Sequence, residues 1–169
     1  STKLCQENLV ASWCGSFGVT PVLFRLQNVY GPGQSLINPY TGIISLFVRL
    51  ARAGESIPVY EDGEIVRDFV FIDDVASAII SGVLSSEAQI EPYDIGLGER
   101  TTMMQVAQII AARYGAPEPH ITGQFRDGDV RSAWADTREA RSRLGWEPRV
   151  SVTEGIARLC AWIDSQEVA

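Results

Sequence analysis

Arg67 carries the charge in this sequence with the clearest chemical meaning. It opens the run Arg67-Asp68-Phe69-Val70-Phe71-Ile72, in which every residue after Asp68 favours burial. A guanidinium at the head of an apolar strand needs an anion, and its planar fork suits phosphate or carboxylate. That anion is either a ligand or a structural carboxylate, with Asp68, Asp73 and Asp74 close along the chain. A second charged stretch, Arg126-Asp127-Gly128-Asp129-Val130-Arg131, precedes Trp134-Ala135-Asp136. Alone it reads as a solvated loop, whereas two separated arginines converging on a diphosphate would make a coherent site. Tyr60, beside Pro58, is either core filler or a ring on which a base stacks.

Other patterns carry less chemistry. Gly96-Leu97-Gly98-Glu99-Arg100-Thr101 mimics a dinucleotide fingerprint, but its third position is Thr, and no strand ending in an acid follows. A glycine-rich turn leading to a Thr helix cap fits better. Asp136 and Glu139 read as a helix start rather than a catalytic carboxylate pair. No nucleophile triad is visible. Cys5, Cys14 and Cys160 are far apart among apolar neighbours, and the lone His120 cannot complete a zinc set. The cysteines are expected as buried free thiols in a reducing cytoplasm, with no metal site.

The elements that must position these groups alternate between helix and strand. The chain opens helix-compatible from Ser1 to Ser12, and 21–26 reads as a buried strand broken by Tyr30-Gly31-Pro32-Gly33. A Gly/Pro/Asn-rich loop over 34–41 leads to a helix carrying Ile43, Leu46, Phe47, Leu50 and Ala51, closed by Gly54. The residues 57–60 predict an edge strand, Asp62-Gly63 a tight hairpin, and Val66 to Ile72 the returning strand. Asp73 or Asp74 then caps a helix through Val83. A strand at 92–96 precedes a helix from Thr101 or Thr102, and helices at 137–144 and 152–163 close the pattern. The fold class is α/β.

Composition narrows the function. The 169 residues include 14 Lys+Arg against 21 Asp+Glu, a formal charge of −7, and 46% hydrophobic residues. That balance fits a folded domain and argues against a nucleic-acid surface, which needs a basic excess. No apolar run reaches the roughly 18 residues of a spanning helix, so no membrane partner is expected. No charged-then-apolar stretch is visible before the first helix, so no secretory signal is expected.

One set of motifs, in order, covers nearly the whole chain. Arg25-Leu26-Gln27-Asn28-Val29-Tyr30-Gly31-Pro32-Gly33-Gln34 resembles the R-x-x-N-V-Y-G-P segment of the extended short-chain dehydrogenase/reductases, the NAD-dependent nucleotide-sugar epimerases and dehydratases. The likeness continues through Val59-Tyr60-Glu61-Asp62-Gly63 and the run from Val66 to Ala76. It extends to Tyr93-Asp94-Ile95-Gly96, Gly128-Asp129, Ala135-Asp136 and Leu144-Gly145-Trp146. The chain is similar to the UDP-glucose 4-epimerase-like members.

The resemblance implies roles position by position. Asn28 matches a contact to the nucleotide-sugar phosphates, Arg67 the diphosphate-gripping arginine, and Arg126 with Asp129 the pair holding phosphate and ribose. Tyr60 falls where the family packs an aromatic near the base. Lys3 matches the lysine of Y-x-x-x-K, a catalytic group that also binds nicotinamide ribose, and Val29 and Tyr30 lie where the chain passes the nicotinamide. The motif's tyrosine would stand four residues before Lys3, ahead of Ser1, with the NAD fingerprint further upstream. The resemblance therefore implies the C-terminal part of a Rossmann-type enzyme: the last sheet strands plus the small substrate-binding domain. Residues 1–35 and 90–115 would be Rossmann remnants, and 36–89 and 116–169 mainly substrate domain.

The expected function is the nucleotide-sugar (UDP-, dTDP- or GDP-hexose) binding half of an NAD-dependent epimerase or dehydratase, inactive alone and binding NAD poorly. The alternative is a non-catalytic nucleotide-diphosphate binding or assembly module. The full enzyme would be a homodimer, and this chain is expected to self-associate through an exposed sheet edge.

Overall fold

The computed structural model describes residues 2–36, 42–85 and 91–166, so Ser1 and positions 37–41 of the expected loop lie outside the described residues. In chain order the elements are α1 (Thr2–Phe17), β1 (Phe24–Leu26), β2 (Asn28–Tyr30), α2 (Ile43–Arg52), β3 (Pro58–Val59), β4 (Val66–Arg67) and β5 (Phe69–Phe71). They continue with α3 (Ile72–Leu84), β6 (Tyr93–Ile95), β7 (Thr101–Thr102), α4 (Met103–Tyr114), β8 (His120–Ile121), α5 (Arg138–Leu144) and α6 (Val152–Ser165). The α/β class and its parallel pairing are present: β1 with β6, β2 with β5 and β3 with β8 run parallel, and β4 with β7 antiparallel.

Two apolar cores result. The larger packs α2, α4 and α6 around Tyr30, Phe69 and Phe71, with Ile44, Phe47, Val48, Val106, Ile110, Ile156 and Leu159 fully covered or nearly so. Tyr30 stands edge-on to Phe69 and Phe71, and its hydroxyl donates to the Val152 carbonyl at 3.3 Å. A Cβ at Gly155 would collide with that ring, which is why α6 needs glycine there. The smaller core joins Val70, Val75 and Ala78 to Tyr93, Ile95, Ala140 and Trp146. On α4 the expected cap is Thr102: its hydroxyl accepts from the Gln105 N–H, and the Gln105 side chain accepts from the Thr102 N–H, a complete capping box.

Four sequence expectations are corrected. The strand expected over Val66 to Ile72 is split at Asp68, whose wholly buried carboxylate accepts the N–H groups of Leu97, Gly98 and Ala135 at 2.7, 2.9 and 3.0 Å. The backbone on its two sides therefore pairs with different partners, β4 with β7 and β5 with β2. The Asp62-Gly63 turn exists, with the Gly63 N–H donating to the Tyr60 carbonyl, but no hairpin does, because β3 pairs with β8 instead of β4. Neither Asp73 nor Asp74 caps α3. Asp74 is buried and accepts the N–H groups of Arg149 and Val150, each at 3.0 Å, pinning the segment before α6 onto α3. Cys14 and Cys160 are buried free thiols, but Cys5 is exposed on α1, which buries only Cys14.

Candidate functional site

The backbone changes neighbours between β1 and β2. Gln27 donates its N–H to Ile95 of β6, whereas Asn28 donates its N–H to Asp68, next to β5. Such a divergence opens a crevice at the strand ends, the usual ligand position in α/β sheets. Beside it lies a cavity of about 300 Å³. Its floor is apolar, made by Phe47 of α2, Val59 of β3, Ile65 and Met103, while Ile43 and Leu46 form a wall from the less buried flank of α2. Polar groups crown the rim: Asn28, Tyr60, Glu61, Arg67, Arg126 and Asp129. A few converging polar groups over an apolar floor is the usual form of a small-molecule site.

The charged rim groups Arg67, Asp129 and Arg126 are held by local structure. Arg67 leaves the end of β4 with its side chain only 16% exposed. One of its terminal nitrogens donates to the Val66 carbonyl at 2.9 Å and the other to Asp129 Oδ1 at 3.1 Å. Its carboxylate partner is thus Asp129, from the second charged stretch, and none of Asp68, Asp73 or Asp74. The Arg126 guanidinium lies 5.8 Å from the centroid of the Tyr60 ring, within cation–π range. The two charged stretches are therefore one site, although 62 positions separate Arg67 from Asp129.

The glycine-rich turn is explained by Asp68. The N–H groups of Leu97 and Gly98 are spent on its carboxylate, and a Cβ on Gly96 would collide with the same group. The turn is an acid cradle inside the fold, not a phosphate loop.

All five residues singled out as ligand contacts, Asn28, Tyr60, Arg67, Arg126 and Asp129, line the one cavity. Val29 and Tyr30 line an adjoining hollow that shares Asn28 and Ile43 with it. There Val29 is exposed, while the Tyr30 hydroxyl is committed to the Val152 carbonyl. Lys3 is elsewhere, in a hollow with Gln6, Glu7 and Arg25, where Arg25 forks onto Glu7 through two bonds of 2.8 Å. Sequence reasoning missed Glu61, Phe125 and Met103. Glu61 was hidden in what read only as a turn, and Phe125 was signalled by an aromatic adjoining Arg126. Among the described residues no cluster of His, Cys, Asp or Glu has metal-site form.

Residues 1–96 match the model of the NAD dependent epimerase/dehydratase family. The chain belongs to that family. It is 51% identical over 163 residues to a dTDP-L-rhamnose 4-epimerase of Burkholderia thailandensis, covering 96% of this chain and 45% of that protein. Its fold superposes with a TM-score of 0.88 on the UDP-glucose 4-epimerase of Thermotoga maritima solved with UDP-glucose, at 31% identity, covering 96% of this chain and 52% of that one. The Thermus thermophilus UDP-glucose 4-epimerase solved with NAD gives a TM-score of 0.82 at 27% identity, covering 94% and 51%. This epimerase/dehydratase chain thus spans about half the length of the relatives it matches.

Proposed function

We propose that this chain is the nucleotide-sugar-binding half of an NAD-dependent sugar epimerase or dehydratase. One observation carries the reading: Asn28, Tyr60, Arg67, Arg126 and Asp129, drawn from separate segments, line a single cavity with an apolar floor. Arg67 and Arg126 supply local positive charge on a chain of net charge −7, which suits a diphosphate. Asn28 donates to phosphate oxygen, and Tyr60 offers a face for the base beside the Arg126 guanidinium. Asp129 orients Arg67 through their shared bond and accepts from a ribose hydroxyl.

In the full reaction a hydride leaves sugar C4 and a tyrosine takes the hydroxyl proton, giving a 4-keto sugar that is re-reduced or dehydrated. NAD, when bound, supplies the hydride acceptor, and Lys3, Val29 and Tyr30 are the residues of this chain that would adjoin it. The role of Asn28, Tyr60, Arg67, Arg126 and Asp129 is to hold the nucleotide so that the hexose projects toward the Asn28–Val29 edge. We assign 1–35 and 90–115 to the cofactor-side layer and 36–89 with 116–169 mainly to the substrate side, in a cytoplasmic protein. No helix among the described residues is long and apolar enough to cross a membrane.

The test is saturable binding of UDP- or dTDP-hexose by the chain, with no epimer or keto-sugar on adding NAD. Absence of binding overturns the site. Measurable product overturns the assignment of this chain to the binding half alone.

A further inference from the structure

Residues 125–130 form a span that carries Phe125, Arg126 and Asp129 into the lining of the cavity. Both ends of the span are tied to the strand side. At one end Thr122 donates its N–H to the Val59 carbonyl at 2.9 Å, and the Gln124 carbonyl accepts the Glu61 N–H at 2.8 Å. At the other, the Arg131 carbonyl accepts the Val66 N–H at 2.9 Å, and Ser132 bridges Val66.

The Arg131 side chain then turns back toward the first tie. Its two terminal nitrogens reach separate carboxylates, Glu61 Oε2 at 2.7 Å and Asp62 Oδ2 at 2.6 Å. Glu61 is among the residues lining the cavity and has a φ of 52°, the only positive value at a non-glycine position among the described residues. Left-handed backbone is unfavourable for glutamate, so something in the structure must compensate. The other Asp62 oxygen is already fixed by the Glu64 N–H at 3.0 Å, which orients the carboxylate for the fork. An isolated exposed ion pair stabilises little, but a guanidinium forked across two carboxylates on adjacent residues has geometric specificity.

Resting on the nucleotide-sugar reading of the cavity, we propose that Arg131 is a positioning residue, a latch that joins the two ends of the 125–130 span through Glu61 and Asp62. The latch does two things. It fixes the width of the span, and so the reach of Arg126 and Asp129 into the cavity. It also neutralises the Glu61 carboxylate, which would otherwise face an anionic ligand at the rim. Lysine cannot replace it, since an ammonium lacks the planar fork.

The experiment compares the wild-type chain with Arg131→Ala, Arg131→Lys and the double variant Glu61→Gln with Asp62→Asn. Amide exchange is followed without ligand, and affinity is measured with UDP and dTDP. All three variants are expected to melt close to wild type, because the latch lies on the surface. Exchange across 125–130 is expected to accelerate at least about fivefold in Arg131→Ala and in the double variant. Arg131→Ala should weaken UDP at least about fivefold, Arg131→Lys should not restore it, and a fourth variant that combines Arg131→Ala with Glu61→Gln should recover part of the loss. Unchanged exchange in a folded Arg131→Ala overturns the latch whatever the ligand does, and so does wild-type UDP affinity in that variant. A wild-type chain that binds neither nucleotide overturns the cavity reading instead, and the exchange arm still decides the latch.

Discussion

The cavity and the α1 face are built on opposite plans. Around the cavity the charged groups are restrained by other parts of the chain: Arg67 by Val66 and Asp129, Glu61 and its neighbour Asp62 by Arg131, and Arg126 by the Tyr60 ring. On α1, Lys3 is exposed, only Cys14 is buried, and Leu4, Leu9, Val10, Trp13 and Phe17 face outward. The difference separates two kinds of information. The cavity's geometry is specified by contacts within these residues, whereas nothing packed on α1 among the described residues fixes where the Lys3 ammonium points. The nucleotide recognition proposed above would therefore be local to this chain in a way that the chemistry proposed for Lys3 is not.

The largest break in this contrast comes from Asp68, which is not among the residues lining the cavity. Asp68→Ala leaves three N–H groups without their acceptor, that of Ala135 buried and those of Leu97 and Gly98 partly so, and should cost about 3 kcal/mol or more in urea unfolding. A loss below about 1 kcal/mol would show that the split between β4 and β5 does not depend on that carboxylate. Next comes Arg67→Ala, which should weaken UDP by at least about 1.5 kcal/mol, roughly tenfold in Kd, with little change in melting temperature. On the other side of the contrast, the β1 edge and the α1 face should drive concentration-dependent self-association in sedimentation. A clean monomer with exchange-protected β1 amides would contradict this. The smallest effect is expected from Leu9→Ala, at a position 69% exposed on α1. It should leave unfolding free energy within about 0.5 kcal/mol of wild type and UDP affinity unchanged.

A pH titration sharpens the same contrast. Hydrogen bonds from Arg131 first, and from the Glu64 backbone second, hold the Asp62 carboxyl at about 2, below its ordinary 3.8. A depressed aspartate contributes stability that is complete above its unfolded value and is lost as pH falls through its folded value. The Arg131–Asp62 pair should therefore persist from neutrality down to 3.8 and open only near 2. Carboxyl-carbon NMR should place the Asp62 midpoint near the lower value and move it up in Arg131→Ala. A midpoint near 3.8 in the wild-type chain would contradict the pairing.

Legibility in the sequence followed the range of the interactions. The helices were readable because apolar spacing and caps are local, as at Thr102 with Gln105 and along Val152, Ile156, Leu159 and Ile163. The cavity residues were readable as chemistry, since an arginine heading an apolar run and a charged loop each demand a partner. Their convergence was not, because Arg67 and Asp129 meet only through the pairing of Val66 with the segment at Arg131–Ser132. Asp68 and Asp74 misled local reading for one reason. Each carboxylate is satisfied by backbone 29 to 76 positions away, which no window around it contains.

The most direct test of the central claim, that the cavity and not the α1 face holds a nucleoside diphosphate, is calorimetric titration of UDP and dTDP into wild type, Arg67→Ala and Leu9→Ala. One saturable site is expected in wild type and Leu9→Ala, weakened at least about tenfold in Arg67→Ala. No heat at millimolar ligand in the wild-type chain, or equal affinity in a folded Arg67→Ala, would contradict it.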